Sequence, residues 1–181
     1  MTDKLTIHTT ALTLPKLGRV QLAASEIGLC AVALPDFGDH DLRLGAWEQA
    51  GFHIRTERRP TLTQASDELA AYVRQQSQTF SVPLDLRFLP LFTSRVLKNL
   101  LKVPFGTCIT YGDLAKRAGN PAAARAVGGA VGRNPIPIIV PCHRIVASTG
   151  IGGFGLGLRC KRVLLAIEKV SFPMSPDESV H

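Results

Sequence analysis

A cysteine and a histidine stand side by side near residue 142, and together they could perform nucleophilic chemistry. Cys142 ends an apolar, strand-like run over residues 134–140, follows Pro141 directly and precedes His143. The thiolate is the reactive form of cysteine, and a nearby base or positive charge generates it. An inert buried cysteine needs none of these neighbours. The stretch therefore predicts a nucleophile, with a buried, unreactive cysteine as the alternative.

The two side chains can cooperate only if the chain bends between them. Adjacent residues on a regular strand point to opposite faces of the sheet. Pro135, Pro137 and Pro141 disfavour a regular central strand, because proline lacks the backbone donor that the ladder needs. We therefore expect a bend at Cys142 that lets His143 act on the sulfur, directly or through one water.

A third group must orient a catalytic base, and Glu168 is the candidate. Residues 161–168 have helical spacing with the apolar side chains on one face. Glu168 lies four residues after Leu164 and can turn toward the core. A carboxylate near a helix C-terminus is unfavourable, which indicates a specific partner. The alternative is a solvated glutamate paired with Lys161 or Arg162.

Two short helices are predicted upstream of the cysteine, over residues 110–118 and 122–131. Gly119 and Asn120 form a turn between them, and Pro121 suits the first position of the second helix. This is the layout of a helix-turn-helix. An ordinary helical hairpin inside a core is the alternative.

The second of these helices carries an almost bare surface. Alanine and glycine fill most of it, and Gly128 and Gly129 follow one another, although each glycine costs a helix about 1 kcal/mol relative to alanine. Close approach of another backbone, from protein or DNA, would explain this composition. Arg125 is the only long side chain before Arg133, so it is a candidate probe into a groove.

Charge is distributed unevenly along the 181 residues, whose net charge is +7. Residues 1–90 carry 9 Lys and Arg against 10 Asp and Glu, whereas residues 91–181 carry 12 against 4. Basic charge concentrated in one domain is typical of a polyanion binder, and a solvated basic surface is the alternative.

The chain has no run of membrane-spanning length and no signal peptide, so we expect a soluble, intracellular protein. The four scattered cysteines do not have the spacing of a zinc site.

The chain is predicted to form an α/β fold in two domains. Residues 1–80 should form a small α/β scaffold, since residues 5–14, 20–24 and 29–34 have strand patterns at hairpin spacing, which favours an antiparallel sheet. Helices are expected over residues 42–50, 65–76 and 92–101. Residues 81–90 should be a linker, residues 91–172 a mainly helical second domain, and residues 173–181 a flexible tail.

A glycine-rich loop separates the cysteine from the last helix. It contains a formal G-x-G-x-x-G at Gly150, Gly152 and Gly155. A dinucleotide site is rejected because no clear βαβ unit surrounds the loop, and a P-loop is rejected because no Gly-Lys-Ser/Thr follows. A backbone lying against a flat ligand fits better, with Phe154 as a stacking or packing residue.

These motifs together resemble one family, the O6-alkylguanine-DNA alkyltransferases (methylated-DNA–protein-cysteine methyltransferases). The Pro-Cys-His-Arg run at residues 141–144 is the family signature. The match also includes residues 109–111, 119–130, 134–135 and 161–168, and thus extends over roughly residues 91–170. The first half matches loosely, in its early strands. The resemblance implies a ribonuclease H-like first domain and a winged-helix-like second domain that contains the helix-turn-helix.

The resemblance also implies catalytic roles. Cys142 would take the alkyl group from the guanine oxygen by direct displacement, once per molecule. His143 would act as the base through a water, with Glu168 orienting it. Tyr111 would donate a proton to the departing guanine or help to rotate the nucleotide. Asn134 would tie the cysteine segment to the helix-turn-helix.

The implied partner is double-stranded DNA that carries O6-alkylguanine, bound through its minor groove, and Arg125 would fill the gap left by the flipped nucleotide. Flipping is required because the target atom lies inside the duplex. The implied DNA contacts are Thr110, Ala123, Arg125, Ala126 and Gly128. The implied pocket residues are Tyr111, Ile145, Phe154, Gly155 and Leu156.

No cofactor is expected, because the implied transfer to Cys142 is a single direct reaction. No metal is expected, because Cys30 alone does not reproduce the zinc site that some eukaryotic relatives carry. We expect a monomer in the cytoplasm, associated with the nucleoid when bound to DNA, or in the nucleus of a eukaryote.

Many relatives have a Gly-Tyr pair where this chain has Gly153 and Phe154, followed by small residues or a tryptophan rather than Leu156. This departure leaves the contact to the lesion oxygen and the range of alkyl sizes open.

Two other functions compete with suicidal alkyl transfer. A non-catalytic protein that binds alkyl lesions would have replaced the cysteine, and Cys142 is present. A Cys-His-Glu hydrolase would use the helix-turn-helix only for packing, which the uneven charge and the bare second helix disfavour.

Overall fold

The computed structural model describes residues 5–38, 41–42 and 44–172. The strands are β1 (Thr6–Leu14), β2 (Gly18–Ala24), β3 (Leu29–Ala33), β4 (His53–Thr56), β5 (Ile109–Thr110) and β6 (Ile145–Val146). The α-helices are α1 (Leu44–Gln49), α2 (Pro60–Val73), α3 (Leu91–Leu100), α4 (Tyr111–Arg117), α5 (Ala124–Gly132) and α6 (Gly157–Ile167). Short 3-10 turns cover Pro35–Phe37, Pro121–Ala123 and Cys142–Arg144. The tail predicted over residues 173–181 lies outside the described residues.

The first four strands form one sheet in the order β3-β2-β1-β4. The hairpins β1–β2 and β2–β3 are antiparallel, as predicted. β4 instead runs parallel to β1, with Ile7 beside Ile54, so the sheet is mixed rather than antiparallel. β4 was not predicted from the sequence because the strand has four residues and is mostly exposed, so it shows no apolar alternation.

Both faces of this sheet are covered. Val20 and Leu22 belong to the main hydrophobic core, together with the buried face of α2, whereas Ala23, the residue after Leu22, belongs to a smaller cluster on the opposite face. The main core continues into α3, α5 and α6. The two halves of the chain therefore share one apolar interior.

The connector between the halves is packed against the sheet. Leu29 in β3 accepts a hydrogen bond from the Asp85 amide and donates one to Pro83, each 2.8 Å long. Val82 and Leu86 are buried. The predicted linker over residues 81–90 thus lies along the edge of β3, and the domain boundaries remain a prediction.

The helices of the second half surround the buried face of α5. α3 buries Val96, Leu97 and Leu100, whereas Leu101, the last residue of the predicted helix, follows the observed helix and is exposed. α3 and α4 both pack against α5. The parallel β5–β6 pair sets the start of α4 beside the end of the segment that carries Cys142. No helix in the described part of the chain is long and apolar enough to span a membrane.

Candidate active site and nucleic-acid interface

α4 and α5 form the helix-turn-helix that the spacing predicted. Thr110 and Asp113 start α4 with a reciprocal capping box, in which the Thr110 hydroxyl accepts from the Asp113 amide (3.1 Å) and the carboxylate accepts from the Thr110 amide. Gly119 makes the turn with a φ of 81°, which favours glycine. Thr110 is half-buried and its hydroxyl serves the cap, so its side chain has a structural task besides any DNA contact.

The outer face of α5 is as bare as its composition predicted. Arg125, Ala126 and Gly129 are exposed, whereas Val127 and Ala130 are fully buried. Ala123, in the turn before the helix, is half-buried. The Arg125 guanidinium makes no hydrogen bond or ion pair within the described ranges.

Internal packing does not explain the two central glycines of α5. A methyl group added at Gly128 would meet the Tyr111 ring at 3.7 Å, an ordinary contact. A methyl group at Gly129 would meet only the flexible end of the Arg133 side chain, at 3.5 Å. Each glycine lowers the stability of the helix by about 1 kcal/mol relative to alanine, and no contact inside the fold requires a glycine at either position. The bare face is therefore free to receive a partner from outside.

The segment leading to the cysteine is a buried loop and not the strand that its apolar residues suggested. Ile138 has a φ of 74°, which a strand does not allow. Asn134, directly after α5, holds the loop by donating to the Val140 carbonyl (2.8 Å) and accepting from the Ile136 amide (3.0 Å). Its amide also donates to the Cys142 sulfur at 3.0 Å. Asn134 thus joins the helix-turn-helix to the cysteine.

Cys142 begins the Cys142–Arg144 turn, so the chain does bend at this point. Its side chain is buried, and burial raises the pKa of the thiol to about 11, although the Asn134 amide and the Lys161 charge act in the opposite direction. The resting sulfur is therefore protonated at neutral pH. A nucleophilic attack by Cys142 needs a base that removes this proton as the reaction proceeds.

His143 has the hydrogen bonding of such a base. Its Nε2 lies 2.7 Å from Glu168 Oε1, and both side chains are fully buried. Burial lowers the pKa of His143, so the imidazole is neutral, while hydrogen bonds hold the pKa of Glu168 down at about 2 despite its burial. A carboxylate can only accept, so Nε2 carries the proton and Nδ1 presents a lone pair. Nδ1 is buried without a hydrogen-bond partner among the described residues.

Glu168 is held by groups that the sequence analysis did not identify. Arg144 donates two hydrogen bonds to the carboxylate, from Nε to Oε2 (2.9 Å) and from Nη2 to Oε1 (2.8 Å). The Tyr72 hydroxyl donates to the same carboxylate at 2.8 Å, and the Gly106 amide donates to it at 3.0 Å. Glu168 therefore faces the core, and it pairs with Arg144 rather than with Lys161 or Arg162. A tyrosine on the buried face of a helix was the available signal for Tyr72, since a buried hydroxyl needs a partner.

Lys161 was also missed, and it holds the glycine-rich loop. Its ammonium is fully buried and donates to the carbonyls of Ile145 (2.6 Å), Ile151 (2.6 Å) and Gly153 (3.1 Å). Burial lowers the pKa of Lys161 to about 8. These bonds fasten the loop to β6, directly behind the cysteine. A lysine in the first turn of an amphipathic helix gave no sequence signal of burial.

A cavity of about 540 Å³ opens beside Cys142. The predicted residues that line it are Tyr111, Gly128, Asn134, Phe154, Gly155 and Leu156. Ile145, which was predicted to line the pocket, does not: its side chain is fully buried in β6, paired with β5. β3 and α1 of the first half supply part of the opposite wall, which the sequence analysis did not anticipate.

Among the described residues, no cluster of three histidine, cysteine or acidic side chains is placed to hold a metal ion. A larger cavity of about 820 Å³ lies between the connector and the end of α3. It reaches Arg144 but not Cys142. Of these two cavities, the one lined by Cys142 is therefore the one that adjoins a candidate nucleophile.

This combination of fold and site defines a class of protein, a helix-turn-helix domain with a buried cysteine at the floor of a cavity beside its bare helix. Residues 91–170 match the DNA-binding domain of 6-O-methylguanine DNA methyltransferase, and residues 10–86 match the ribonuclease-like domain of the same family. The chain belongs to the 6-O-methylguanine DNA methyltransferase family.

Individual relatives agree with this assignment. The methylated-DNA–protein-cysteine methyltransferase of Mycobacterium tuberculosis is 48% identical over 110 residues, which cover 60% of this chain and 66% of the relative, just under two thirds of its length. The crystal structure of M. tuberculosis OGT in complex with DNA superposes with a TM-score of 0.75 at 35% identity, covering 90% of this chain and 93% of that one. The methyltransferase of the archaeon Pyrococcus kodakaraensis superposes with a TM-score of 0.52 at 26% identity, covering 91% and 99%.

Proposed function

We propose that this chain repairs DNA by direct reversal, transferring the alkyl group of an O6-alkylguanine irreversibly to Cys142. One observation carries the proposal. Cys142 lies in a cavity together with Tyr111 and Asn134, next to a bare helix, and a neutral imidazole with an available lone pair follows it directly. The methyltransferase names of the relatives agree with this chemistry.

The first step prepares the nucleophile. The Cys142 proton passes to Nδ1 of His143, through one water in the manner expected for a base that makes no direct bond to the thiol. Glu168 stabilises the imidazolium that forms, because its carboxylate stays ionised at neutral pH. The Asn134 amide, 3.0 Å from the sulfur, stabilises the developing thiolate.

The second step is a direct displacement at the alkyl carbon. The bond from Cys142 Sγ to carbon forms while the bond from carbon to O6 breaks, and the bonding pair leaves with the guanine. Tyr111 donates a proton to the departing base. Burial raises the pKa of its phenol, so the phenol is protonated at neutral pH and loses its proton only to the guanine anion that forms in the displacement. The product is a thioether that no group in the site can cleave. Each molecule therefore reacts once.

The DNA contact follows from the helix-turn-helix. α5 lies in the minor groove, where the small side chains Ala126 and Gly129 allow close approach, and Arg125 occupies the space left by the flipped nucleotide. The crystallised M. tuberculosis protein was captured with DNA. The protein therefore acts where the cell keeps its DNA, on the nucleoid in the cytoplasm or in the nucleus.

Intact-mass measurement tests the proposal. The protein is incubated with a duplex that carries one O6-methylguanine, and the expected result is the gain of one methyl group, mapped by peptide analysis to Cys142. Cys142→Ser should gain nothing. The matched control is Cys108→Ser, which alters a half-buried cysteine outside the cavity and should react like the parent protein.

The competing functions give different results in the same assay. Binding to the lesion duplex without any gain of mass would support a non-catalytic lesion-binding protein. Repeated turnover of an ester or amide substrate would support a hydrolase. Either outcome would overturn the transfer mechanism.

A further inference from the structure

The cavity beside Cys142 is built by both halves of the chain. The second half provides the cysteine, Tyr111 and the loop that includes Phe154. The first half provides a further part of the wall, formed by Ala31–Ala33 of β3, by Asp41 and Leu42, and by Ala46 and Trp47 of α1. A residue that shares the cavity with the reacting sulfur can meet a substrate group that extends past that sulfur.

Two direct links fix this wall relative to the cysteine. The Val32 amide of β3 donates to the Pro135 carbonyl at 2.8 Å, so the sheet edge is bonded to the loop that carries the cysteine. On the other side, Arg159 of α6 donates to the Asp36 carbonyl at 2.8 Å, and its guanidinium stacks 4.7 Å from the centre of the Phe37 ring. This wall is thus attached to the catalytic half at two places.

The wall is apolar apart from Asp41, and its residue sizes leave room. Ala31, Ala33 and Ala46 carry single methyl groups, whereas Leu42 and Trp47 are its large apolar side chains. Edge-to-face contacts with Phe52 (centroids 5.3 Å apart) and Phe88 (5.6 Å) hold the indole in place. The alanines and the indole form a surface that suits hydrocarbon.

We propose that this wall selects the alkyl group, and that Ala46 and Trp47 of the first half set the largest substituent that Cys142 can accept. The inference rests on the proposed function. A methyl group ends at the sulfur and does not reach the wall. A longer or aromatic substituent projects sideways from the reacting carbon, because the sulfur and O6 occupy the two ends of the displacement axis, and it packs against the wall. The small residues of the wall therefore admit bulky alkyl groups, and filling the wall excludes them.

Substitution at Ala46 tests the proposal without disturbing the core, because Ala46 is exposed on a short helix although it lines the cavity. Single-turnover rates are measured on duplexes carrying O6-methylguanine or O6-benzylguanine for the parent protein and the Ala46→Leu and Ala46→Phe variants. We expect the benzyl-to-methyl rate ratio to fall by about tenfold or more, since one misfitting methylene is worth that much in a pocket. The methyl rate should stay within about twofold. Ala50→Leu makes the same change beyond the end of α1 and outside the cavity, and should leave the ratio unaltered.

A second measurement needs no substitution. Trp47 is the only tryptophan in the chain, so its fluorescence reports on this wall. A 4-nitrobenzyl group quenches indole fluorescence, so its transfer to Cys142 should lower the fluorescence intensity of Trp47. Transfer of a methyl group should leave that intensity nearly unchanged. An unaltered rate ratio in folded Ala46 variants, or no quenching after nitrobenzyl transfer, would overturn the proposal while methyl transfer stands. Failure of the parent protein to accept any alkyl group would instead overturn the proposed function.

Discussion

The Tyr72 hydroxyl donates a hydrogen bond of 2.8 Å to Glu168, although the two residues are 96 positions apart in the chain. Tyr72 lies on α2 of the first half, and Glu168 follows the last helix of the second half. Because Glu168 also bonds His143, the first half helps to hold the carboxylate that contacts the proposed base. The first half is thus bonded directly to the proposed active site.

Tyr72→Phe should therefore lower stability more than it lowers catalysis. A hydrogen bond to a buried charge is worth about 2 kcal/mol, so we expect the free energy of unfolding in urea to fall by about that much. Arg144 still holds Glu168, so the rate of alkyl transfer should fall by less than about tenfold. The contrasting variant is Tyr111→Phe, which should slow transfer strongly and change stability little. The same effect of both variants on both quantities would contradict the assigned positions of the two hydroxyls.

The rate of alkyl transfer should be flat through neutral pH and fall only in acid. The base must be neutral, and burial lowers the pKa of His143 from its usual 6.5. The rate should not rise between pH 7 and 9, since the sulfur titrates only near pH 11. Single-turnover rates on O6-benzylguanine as a free base measure this profile without the pH dependence of DNA binding. A tenfold rise per pH unit above neutrality would show that free thiolate attacks without help from His143.

Acid should unfold the protein partly through Glu168. Its pKa is about 2 in the folded chain and 4.5 in an unperturbed carboxyl, so its stabilising contribution is complete above pH 4.5 and is lost as the pH falls toward 2. That contribution is on the order of 3 kcal/mol. Glu168→Gln removes it and leaves Arg144 buried without its charge partner, so the variant should be less stable at neutral pH and lose less stability on acidification. Urea unfolding at pH 3, 5 and 7 makes the comparison. Parallel pH dependences for both proteins would show that Glu168 is not the group responsible.

Local rules were sufficient to predict the bend at Cys142 and the contact between His143 and Glu168, while the catalytic roles of the three residues stay predictions. Prolines around the cysteine predicted the bend. A carboxylate at a helix C-terminus is unfavourable, so the position of Glu168 predicted a specific partner. The amphipathic spacing of α3 and the turn at Gly119 are equally local, so those helices were found close to their observed bounds. Each of these features depends on neighbours a few residues away.

The rest of the site depends on distant contacts that no local pattern contains. Arg144 and Lys161 are buried cations, and charge normally predicts exposure. Tyr72 lies within the helix predicted over residues 65–76, but its partner depends on how the two halves pack. The wall around Trp47 was missed for the same reason, since β3 meets the cysteine loop only through tertiary structure. The family resemblance assigned Ile145 to the pocket, yet Ile145 pairs with β5 and does not line the cavity.

The bare face of α5 predicts opposite effects on stability and on DNA binding. Gly129 has ordinary helical geometry with space beside it, so Gly129→Ala should stabilise the fold by about 0.5–1 kcal/mol. Gly129→Leu should also fold, but its side chain would stand between the helix and the groove and weaken duplex binding by about tenfold or more. Thermal unfolding and duplex titrations at one fixed salt concentration give both quantities. Normal duplex binding by the leucine variant would place the DNA on another face.

Arg125→Ala should impair repair of duplexes and spare the chemical step. If Arg125 fills the gap left by the flipped nucleotide, its loss makes flipping less favourable by part of the few kcal/mol that unstacking costs, which corresponds to about tenfold or more in rate at low DNA concentration. A free O6-benzylguanine base needs no flipping, so its reaction rate should remain within about twofold. Arg95→Ala, which removes an exposed arginine from α3, is the matched control for lost positive charge. Equal losses on duplex and free base would mean that Arg125 acts on the cavity itself, and equal losses in the two arginine variants would reduce its role to general electrostatic attraction.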